Sequence, residues 1–257
     1  MVYYINVFKI VHKVVFTLKE KIYTIPLTDA YAALSECPFC ELEKKLEKEA
    51  AEYALGASMM EPESRIESNK KGFCRRHFEF LLKEQKALSL ALVLDTHLAE
   101  IVNTSEGVPA PEKQGLFAKK ASFCDEIAKK VSEFNSGCVI CDKLEYTLTK
   151  FARVFWYLYK NEPEFKEKVL NSNGFCLPHF ELILKNAKAE LGEKNGELLA
   201  KEIIELELKS LKTLNEDTNW FTKKFDYRFK DAPWNNSKDA IPRAVNKLAK
   251  FTAGNEE

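Results

Sequence analysis

The sequence lacks any long hydrophobic run, and its charges cancel. Its 257 residues contain 39 Lys plus Arg and 39 Asp plus Glu, so the formal net charge is zero. A balanced chain has no overall field that would draw it to nucleic acid or to an anionic membrane. The most apolar stretch, residues 87–94, is interrupted by Ser89 and is far shorter than the roughly 20 residues that cross a bilayer. We therefore expect neither a nucleic-acid partner nor a membrane span.

The N-terminus lacks the features of a secretory signal. Residues 1–18 are apolar and β-branched, but Lys9, His12 and Lys13 interrupt them, and no small-residue cleavage site follows. We predict an extra strand, an exchangeable arm or an extension outside the fold. Without an export signal we expect a reducing, cytoplasmic location, where cysteines serve as metal ligands more often than as disulfides.

Three catalytic motifs are also absent. The sequence has no phosphate-cradling glycine loop, no G-x-S-x-G elbow and no H-E-x-x-H pair. These absences favour a role other than an enzyme, although they do not decide it, and they leave the substrate unspecified.

Three blocks of the sequence occur twice in the same order. The blocks CPFCE (37–41), EPE (61–63) and GFCRRHFE (72–79) match CVICD (138–142), EPE (162–164) and GFCLPHFE (174–181). The offset is 101 residues for the first two blocks and 102 for the third. Such agreement identifies an internal repeat.

The segments between these blocks are predicted to be helical, because apolar residues recur at helical spacing among Glu and Lys. Pro62 and Pro163 suit the first turn of a helix, and Gly72 and Gly174 mark breaks before a further helix. In the first copy that helix is predicted to run on to residue 101 and to be buried.

The predicted fold class is therefore all-α, with two tandem pseudo-symmetric helical repeats that are each stapled by a Cys3His metal site. A C-terminal helix and loop complete the fold, and the whole is expected to pack as one unit. The predicted domains are 1–18 for the N-terminal extension, 19–114 for the first repeat and linker, and 115–257 for the second repeat with the C-terminal helix and loop.

Each repeat carries a C-x-x-C pair and a C-x-x-H pair, which together form a ligand set that zinc prefers. Residues i and i+3 at a helix start face the same way, so each pair supplies half of a tetrahedron. Joining the two pairs within each repeat predicts two sites: Cys37, Cys40, Cys74 and His77, and Cys138, Cys141, Cys176 and His179. The predicted cofactor is two zinc ions, and an iron–sulfur cluster with one His ligand is the alternative.

Four protein ligands close a zinc site, which favours a structural over a catalytic metal. The rival use is redox chemistry, in which oxidation releases thiolates as a disulfide. Four basic residues surround the first C-x-x-H pair, whereas Leu177 and Pro178 lie within the second. The first site is therefore predicted to be the more exposed and reactive one.

Two polar segments are candidate ligand-binding sites. The irregular stretch 226–239 contains Asp226, Arg228 and Trp234, and the stretch 60–69 contains Arg65 and Glu67. Polar groups on a loop that aromatic residues anchor are typical of binding sites. The plainer interpretation is a loop that is pinned to the helices.

Two further residues have plain explanations. Cys124 falls on the apolar face of a helix predicted over 115–134, and His97 follows the apolar stretch 87–94. We expect a buried, inert thiol and a core or interface histidine.

With these motifs the chain resembles an uncharacterised bacterial family that is catalogued only as a domain of unknown function. The resemblance covers about residues 19–250, and it rests on the paired CxxC…GFCxxH motifs and on a C-terminal DYRFKDxPW segment. It implies that residues 1–18 lie outside the usual family region, and it implies no activity.

The sequence thus predicts a cytoplasmic, zinc-stabilised helical protein that binds or organises an unidentified protein or small-molecule partner. The face that carries Arg65, Arg228 and Trp234 is the candidate contact surface. Two alternatives stay open. One is a thiol redox enzyme or sensor that uses the C-x-x-C pairs, and the other is an iron–sulfur protein.

Overall fold

The described part of the chain is helical throughout. The computed structural model describes residues 22–33, 35–108 and 122–250, which form eleven α-helices, three short 3₁₀ helices and no strand. This confirms the all-α prediction, and none of the described helices is long and apolar enough to cross a membrane. The α-helices are α1 (22–32), α2 (Pro38–Ala54), α3 (Pro62–Lys71), α4 (Arg75–Lys83), α5 (Ala87–Glu106), α6 (Phe123–Asn135), α7 (Val139–Asn161), α8 (Pro163–Leu170), α9 (Leu177–Leu191), α10 (Glu193–Lys223) and α11 (Ala240–Ala249). The 3₁₀ helices are Ala57–Met60, Tyr227–Phe229 and Asn235–Ser237.

The predicted helix starts and breaks are confirmed. Pro62 and Pro163 stand in the first turns of α3 and α8, where a missing backbone N–H costs nothing. Gly72 and Gly174 have φ angles of +62° and +81°, a left-handed conformation that glycine adopts without steric cost. Each glycine ends one segment shortly before a C-x-x-H helix begins.

One prediction about helix length and two about burial are wrong. The helix after the first C-x-x-H pair does not run on to residue 101, because it ends at Lys83 and a new helix starts at Ala87. Gln85, between them, has a φ of +55°, which is incompatible with a continuous helix. Several apolar residues of α5 are exposed, and so is Cys124, which was expected to be buried. The exposed residues of α5 are Leu88, Leu92, Leu98 and Val102.

The chain divides into two compact units. The first unit runs up to Lys45 and resumes at Tyr146, and the second unit is Leu46–Glu145. Each division point falls inside a helix, the first in α2 and the second in α7. The units cut across the repeats of the sequence, and the ranges 19–114 and 115–257 stay a prediction as domains. The extension 1–18 and the linker residues 109–114 lie outside the described residues.

An aromatic cluster forms the core of the first unit. The ring of Phe155, on α7, lies with its centroid 6.2 Å from that of Phe39 and 5.6 Å from that of Phe175. Such edge-to-face pairs contribute about 0.5–1.5 kcal/mol beyond the area they bury. Phe39 lies inside the first C-x-x-C motif, and Phe175 directly precedes the second C-x-x-H motif. The core of this unit therefore holds two of the motif turns in place.

The core of the second unit has the same construction with mostly aliphatic side chains. Ile140, inside the second C-x-x-C motif, and Phe73, before the first C-x-x-H motif, are buried in one cluster with Leu81, Leu90 and Val93. A backbone hydrogen bond from Val139 N–H to Gly72 O, at 3.1 Å, joins the two turns directly. This core positions the remaining two motif turns.

Candidate metal centres

Eight side chains converge in two groups of four. Cys37, Cys40, Cys176 and His179 form one group in the first unit, which we call the buried quartet. Cys74, His77, Cys138 and Cys141 form the other group in the second unit, which we call the surface quartet. Within each quartet the four ligand atoms all lie within 4.8 Å of one another, and all seven cysteines of the chain are free thiols.

The separations in both quartets are those of a tetrahedron around one ion. Zinc bond lengths imply edges of roughly 3.8 Å between two sulfurs and roughly 3.6 Å between sulfur and nitrogen. The Sγ–Sγ distance is 3.6 Å between Cys40 and Cys176, and 3.8 Å between Cys74 and Cys141. The distances from sulfur to His179 Nδ1 run from 3.2 to 3.6 Å. Each quartet can therefore hold a single metal ion with little rearrangement.

The pairing that was predicted within each repeat is wrong. The C-x-x-C pair of the first repeat meets the C-x-x-H pair of the second, and the reverse holds for the other quartet. The physical reason lies in the two cores. The ring centroid of Phe39 lies 5.9 Å from that of Phe175, and this contact brings the first C-x-x-C motif to the second C-x-x-H turn. Ile140 and Phe73 are buried in one core, which brings the second C-x-x-C motif to the first C-x-x-H turn.

The two quartets differ in exposure. All four residues of the buried quartet are buried, whereas Cys74 is partly exposed and Cys141 is exposed. The C-x-x-H pair that was expected in the more exposed site does lie there, but its partners come from the second repeat. The C-x-x-H pair of the buried quartet is Cys176 and His179, with Leu177 and Pro178 between them.

A buried carboxylate stands behind each histidine. Glu43 Oε2 lies 3.2 Å from His179 Nε2, and Glu47 Oε1 lies 2.9 Å from His77 Nε2. Each imidazole therefore presents Nδ1 to the sulfurs and Nε2 to a carboxylate. This arrangement fixes the tautomer and orientation of a metal-binding histidine and raises its basicity.

Each of these carboxylates also has a cationic partner. Lys250 Nζ lies 2.6 Å from Glu43, and Arg76 forms an ion pair with Glu47. The partners matter because an unpaired buried carboxylate would be costly. Of the four basic residues around the first C-x-x-H pair, Arg76 contacts Glu47, and Lys71 pairs with Asp142 at 2.6 Å.

Glu43 and Glu47 were not predicted as site residues, although the sequence contains a local signal for them. They follow Cys40 by three and seven residues, so all three lie on one face of α2. The repeat concealed this signal, because the corresponding positions of the second copy are Leu144 and Leu148. Both carboxylates therefore come from α2, and the second copy of the repeat has no carboxylate at the corresponding positions.

The electrostatic field in both quartets is negative. Burial lowers the pKa of His77, but Cys138 and Glu47 outweigh it and raise that pKa to about 9. The pKa of His179 is likewise raised well above its usual value, because Cys176, Cys40 and Glu43 outweigh burial. A field that holds a proton on both imidazoles also favours a divalent cation at the same place.

A buried ion pair supports the loop before Cys176. Glu207 accepts a hydrogen bond from Phe175 N–H at 2.8 Å and pairs with Lys247 at 3.0 Å, and neither charged side chain is exposed. Lys247 Nζ also donates to Asn173 O at 2.8 Å. A Cβ on Gly174 would collide with the Glu207 carboxylate. Glycine at this position thus lets the carboxylate reach the backbone that carries the metal ligand.

In the second unit a histidine takes the place of this ion pair. His97 is buried, and its Nδ1 lies 2.6 Å from Asn69 O. A Cβ on Gly72 would lie 2.5 Å from His97 Nε2. Of the two predicted roles, core or interface histidine, the structure shows the core role for His97.

The candidate ligand-binding residues of the second unit have partners within the chain. Arg65 donates to Thr96 Oγ1 at 2.9 Å, and Glu67 forms an ion pair with Lys71 at 3.1 Å. Their role in ligand binding stays a prediction.

The candidates of the first unit lie in a loop that several side-chain hydrogen bonds hold in place. Lys224 Nζ donates to three backbone carbonyls of the loop and lies 5.2 Å from the ring centroid of Trp234. Asp226 and Arg228 form an ion pair at 2.6 Å in which the arginine is exposed. This geometry supports the plainer interpretation of a pinned loop, and the binding role of these residues also stays a prediction.

A family model matches nearly the whole chain. The model describes a family of unknown function (DUF6062), and it matches residues 18–254. No curated protein and no solved structure matches the chain.

Proposed function

Because the chain belongs to a family of unknown function, its role has to be inferred from its own residues, and we propose that it is a zinc-stabilised helical binding or scaffold protein that holds two zinc ions. One observation carries the proposal. In each quartet, three sulfurs and one imidazole nitrogen lie within 4.8 Å of one another. Three thiolates and one imidazole are a common ligand set of structural zinc.

The donor spacing favours one ion over a cluster. An iron–sulfur cluster distributes its protein ligands over two or four irons, so ligands of different irons stand further apart than ligands of one ion. Both quartets have the compact spacing of a single tetrahedral centre. Zinc is the metal that this sulfur-rich tetrahedral set most commonly holds.

A structural role fits the donors and their burial. Four protein ligands leave no open position for water or substrate, which a catalytic zinc keeps. In the buried quartet the ion would join Cys40 to Cys176 across 136 residues of chain. Structural zinc sites contribute apparent folding free energies of about 10–16 kcal/mol at neutral pH. An ion in each unit would therefore be a large part of that unit's stability.

Elemental analysis combined with absorption spectroscopy tests the proposal. Protein that is purified anaerobically is expected to contain two zinc ions per chain and to be colourless. The proposal is wrong if the folded protein contains no stoichiometric metal. It is equally wrong if the protein contains iron with acid-labile sulfide and absorbs visible light.

A thiol redox function is the second candidate, and the surface quartet favours it. Cys141 is exposed, Cys74 is partly exposed, and their sulfurs lie 3.8 Å apart. Hydrogen peroxide would oxidise this pair of metal-bound thiolates to a disulfide, with two protons taken up from solvent, two water molecules formed and the ion released. Thiol titration together with zinc release would show this as one zinc ion lost for two thiols lost. Zinc that stays bound under mild peroxide would count against the redox function.

The proposed location is a reducing compartment such as the cytoplasm. All seven cysteines are free, and thiolates that serve as metal ligands persist where disulfides do not form. The partner is proposed to be a protein or a small molecule, since the balanced charge gives no reason to expect nucleic acid.

A further inference from the structure

A polar cavity opens beside the buried quartet in the first unit. Its volume is about 550 Å³, which is in the range of pockets that bind small ligands. Its walls come from the end of α1, the start of α2, α8 and the turn that follows α8. Pro38 lines the cavity directly after Cys37, and Asn173 lines it three residues before Cys176.

Two residues in the wall of this cavity, Tyr31 and Ser35, have buried hydroxyl groups. Tyr31 is 7% exposed, and its hydroxyl has no hydrogen-bond partner among the described residues. The buried hydroxyl of Ser35 likewise has none within the described ranges. Unpaired buried polar groups cost free energy, so a site that keeps two of them together is suited to a ligand that supplies their hydrogen bonds. The ring of Tyr31 is fixed by an edge-to-face contact with Phe165 at 5.2 Å.

The rim of the cavity carries charges of both signs. Glu164, Glu167 and Lys168 line it from consecutive turns of α8, and all three are exposed. Within the described part of the chain, none of the three forms an ion pair. Two carboxylates and one ammonium group are thus available to a bound molecule.

We propose that this cavity binds a small amino acid that carries a second ammonium group. Its two ammonium groups would face the two glutamates, and its carboxylate would face Lys168. The hydroxyls of Tyr31 and Ser35 would bond the polar groups that enter the cavity. A dicarboxylate would meet two like charges, and a plain diamine would leave Lys168 unmatched.

The position of the cavity connects it to the metal. An ion in the buried quartet would hold Cys37 next to Cys176, and these residues flank the two walls that contain Pro38 and Asn173. In this respect the inference rests on the proposed function, because it supplies the ligand class for the binding role. The ligand does not reach the metal, since no quartet residue lines the cavity.

Calorimetric titration of the full-length purified protein with four probes tests the charge pattern. L-lysine has both ammonium groups and the carboxylate, cadaverine lacks the carboxylate, L-norleucine lacks the second ammonium group, and L-glutamate reverses the side-chain charge. We expect saturable binding of L-lysine with a dissociation constant below about 1 mM, and binding of the other three at least about fivefold weaker. The inference is overturned if L-lysine does not bind, or if any of the other three binds equally well.

Two variants test the named residues. Tyr31→Phe removes only the hydroxyl and keeps the ring contact, so L-lysine is expected to bind about fivefold more weakly. Tyr227→Phe, at a residue that is 86% exposed, is the matched control and should leave binding unchanged. Lys168→Glu should remove the preference for L-lysine over cadaverine, whereas Lys194→Glu, an exposed lysine that does not line the cavity, should preserve it. Unchanged binding in both cavity variants would refute the assignment.

The metal and the cavity can fail separately. Zinc content is measured on the same samples before titration. Two zinc ions without L-lysine binding would overturn the cavity assignment and leave the metal proposal standing. L-lysine binding to protein that contains no zinc would overturn the metal proposal and leave the cavity assignment standing.

Discussion

Two double substitutions can distinguish the crossed quartets from quartets that are built within each repeat. Cys37→Ser combined with Cys176→Ser removes two ligands from the buried quartet and none from the surface quartet. Cys37→Ser combined with Cys74→Ser removes one ligand from each. Both variants lose Cys37 and one further cysteine, so they are matched in composition.

The expected magnitudes follow from the ligand count. If four ligands share an apparent zinc-binding free energy of about 12 kcal/mol equally, each is worth about 3 kcal/mol, or roughly 10²-fold in affinity. A site that has lost one ligand would then have a dissociation constant of roughly 0.3 μM against roughly 2 nM for an intact site, so a chelator of about 20 nM affinity would take the ion from the first and leave it in the second. Since Cys37 Sγ lies 3.5 Å from His179 Nδ1, its loss is expected to affect the buried quartet alone.

The assay is zinc per chain after gel filtration in the presence of such a chelator. Cys37→Ser/Cys176→Ser should retain one zinc ion, and Cys37→Ser/Cys74→Ser should retain none. Cys124→Ser changes an exposed thiol outside both quartets and should retain two. Pairing within each repeat predicts the reverse order for the two double variants, and that result would refute the crossed arrangement.

Three further outcomes are expected. Glu43→Gln should weaken metal binding at the buried quartet about 10- to 100-fold in chelator competition, whereas Glu49→Gln, on the exposed side of α2, should leave it unchanged. Equal affinities in the two variants would show that the carboxylate behind His179 has no effect on the metal. Gly174→Ala should lower the free energy of unfolding by more than about 2 kcal/mol in denaturant titration, because it adds a collision with a carboxylate to the cost of a positive φ. Gly192→Ala, with a φ of +76° and open space around it, should cost only about 1 kcal/mol, and a similar loss in both variants would contradict the argument. Acidification below about pH 6 should release zinc with at least a tenfold loss of apparent affinity per pH unit, because protons compete for the thiolates; affinity that does not change with pH would contradict thiolate ligation.

Much of the local structure follows from the sequence alone. The repeated blocks identified the four motif turns, and Pro62, Pro163, Gly72 and Gly174 marked where helices begin and break. These features depend on neighbours within a few residues, so a single sequence contains the information. The break at Gln85 and the exposure of Cys124 were missed, since helical periodicity shows which residues share a face but not what packs against it.

Only the tertiary structure decided which half-sites meet. Joining Cys40 to Cys176 closes 136 residues of chain, four times its separation from Cys74, yet that difference costs only about 1 kcal/mol of loop-closure entropy. So small a term cannot select a pairing when each metal site is worth about 10 kcal/mol. The aromatic contact of Phe39 with Phe175 brings the buried quartet together. The spacing of the motifs thus determined which residues can bind metal, and the packing of the cores determined which of them share an ion.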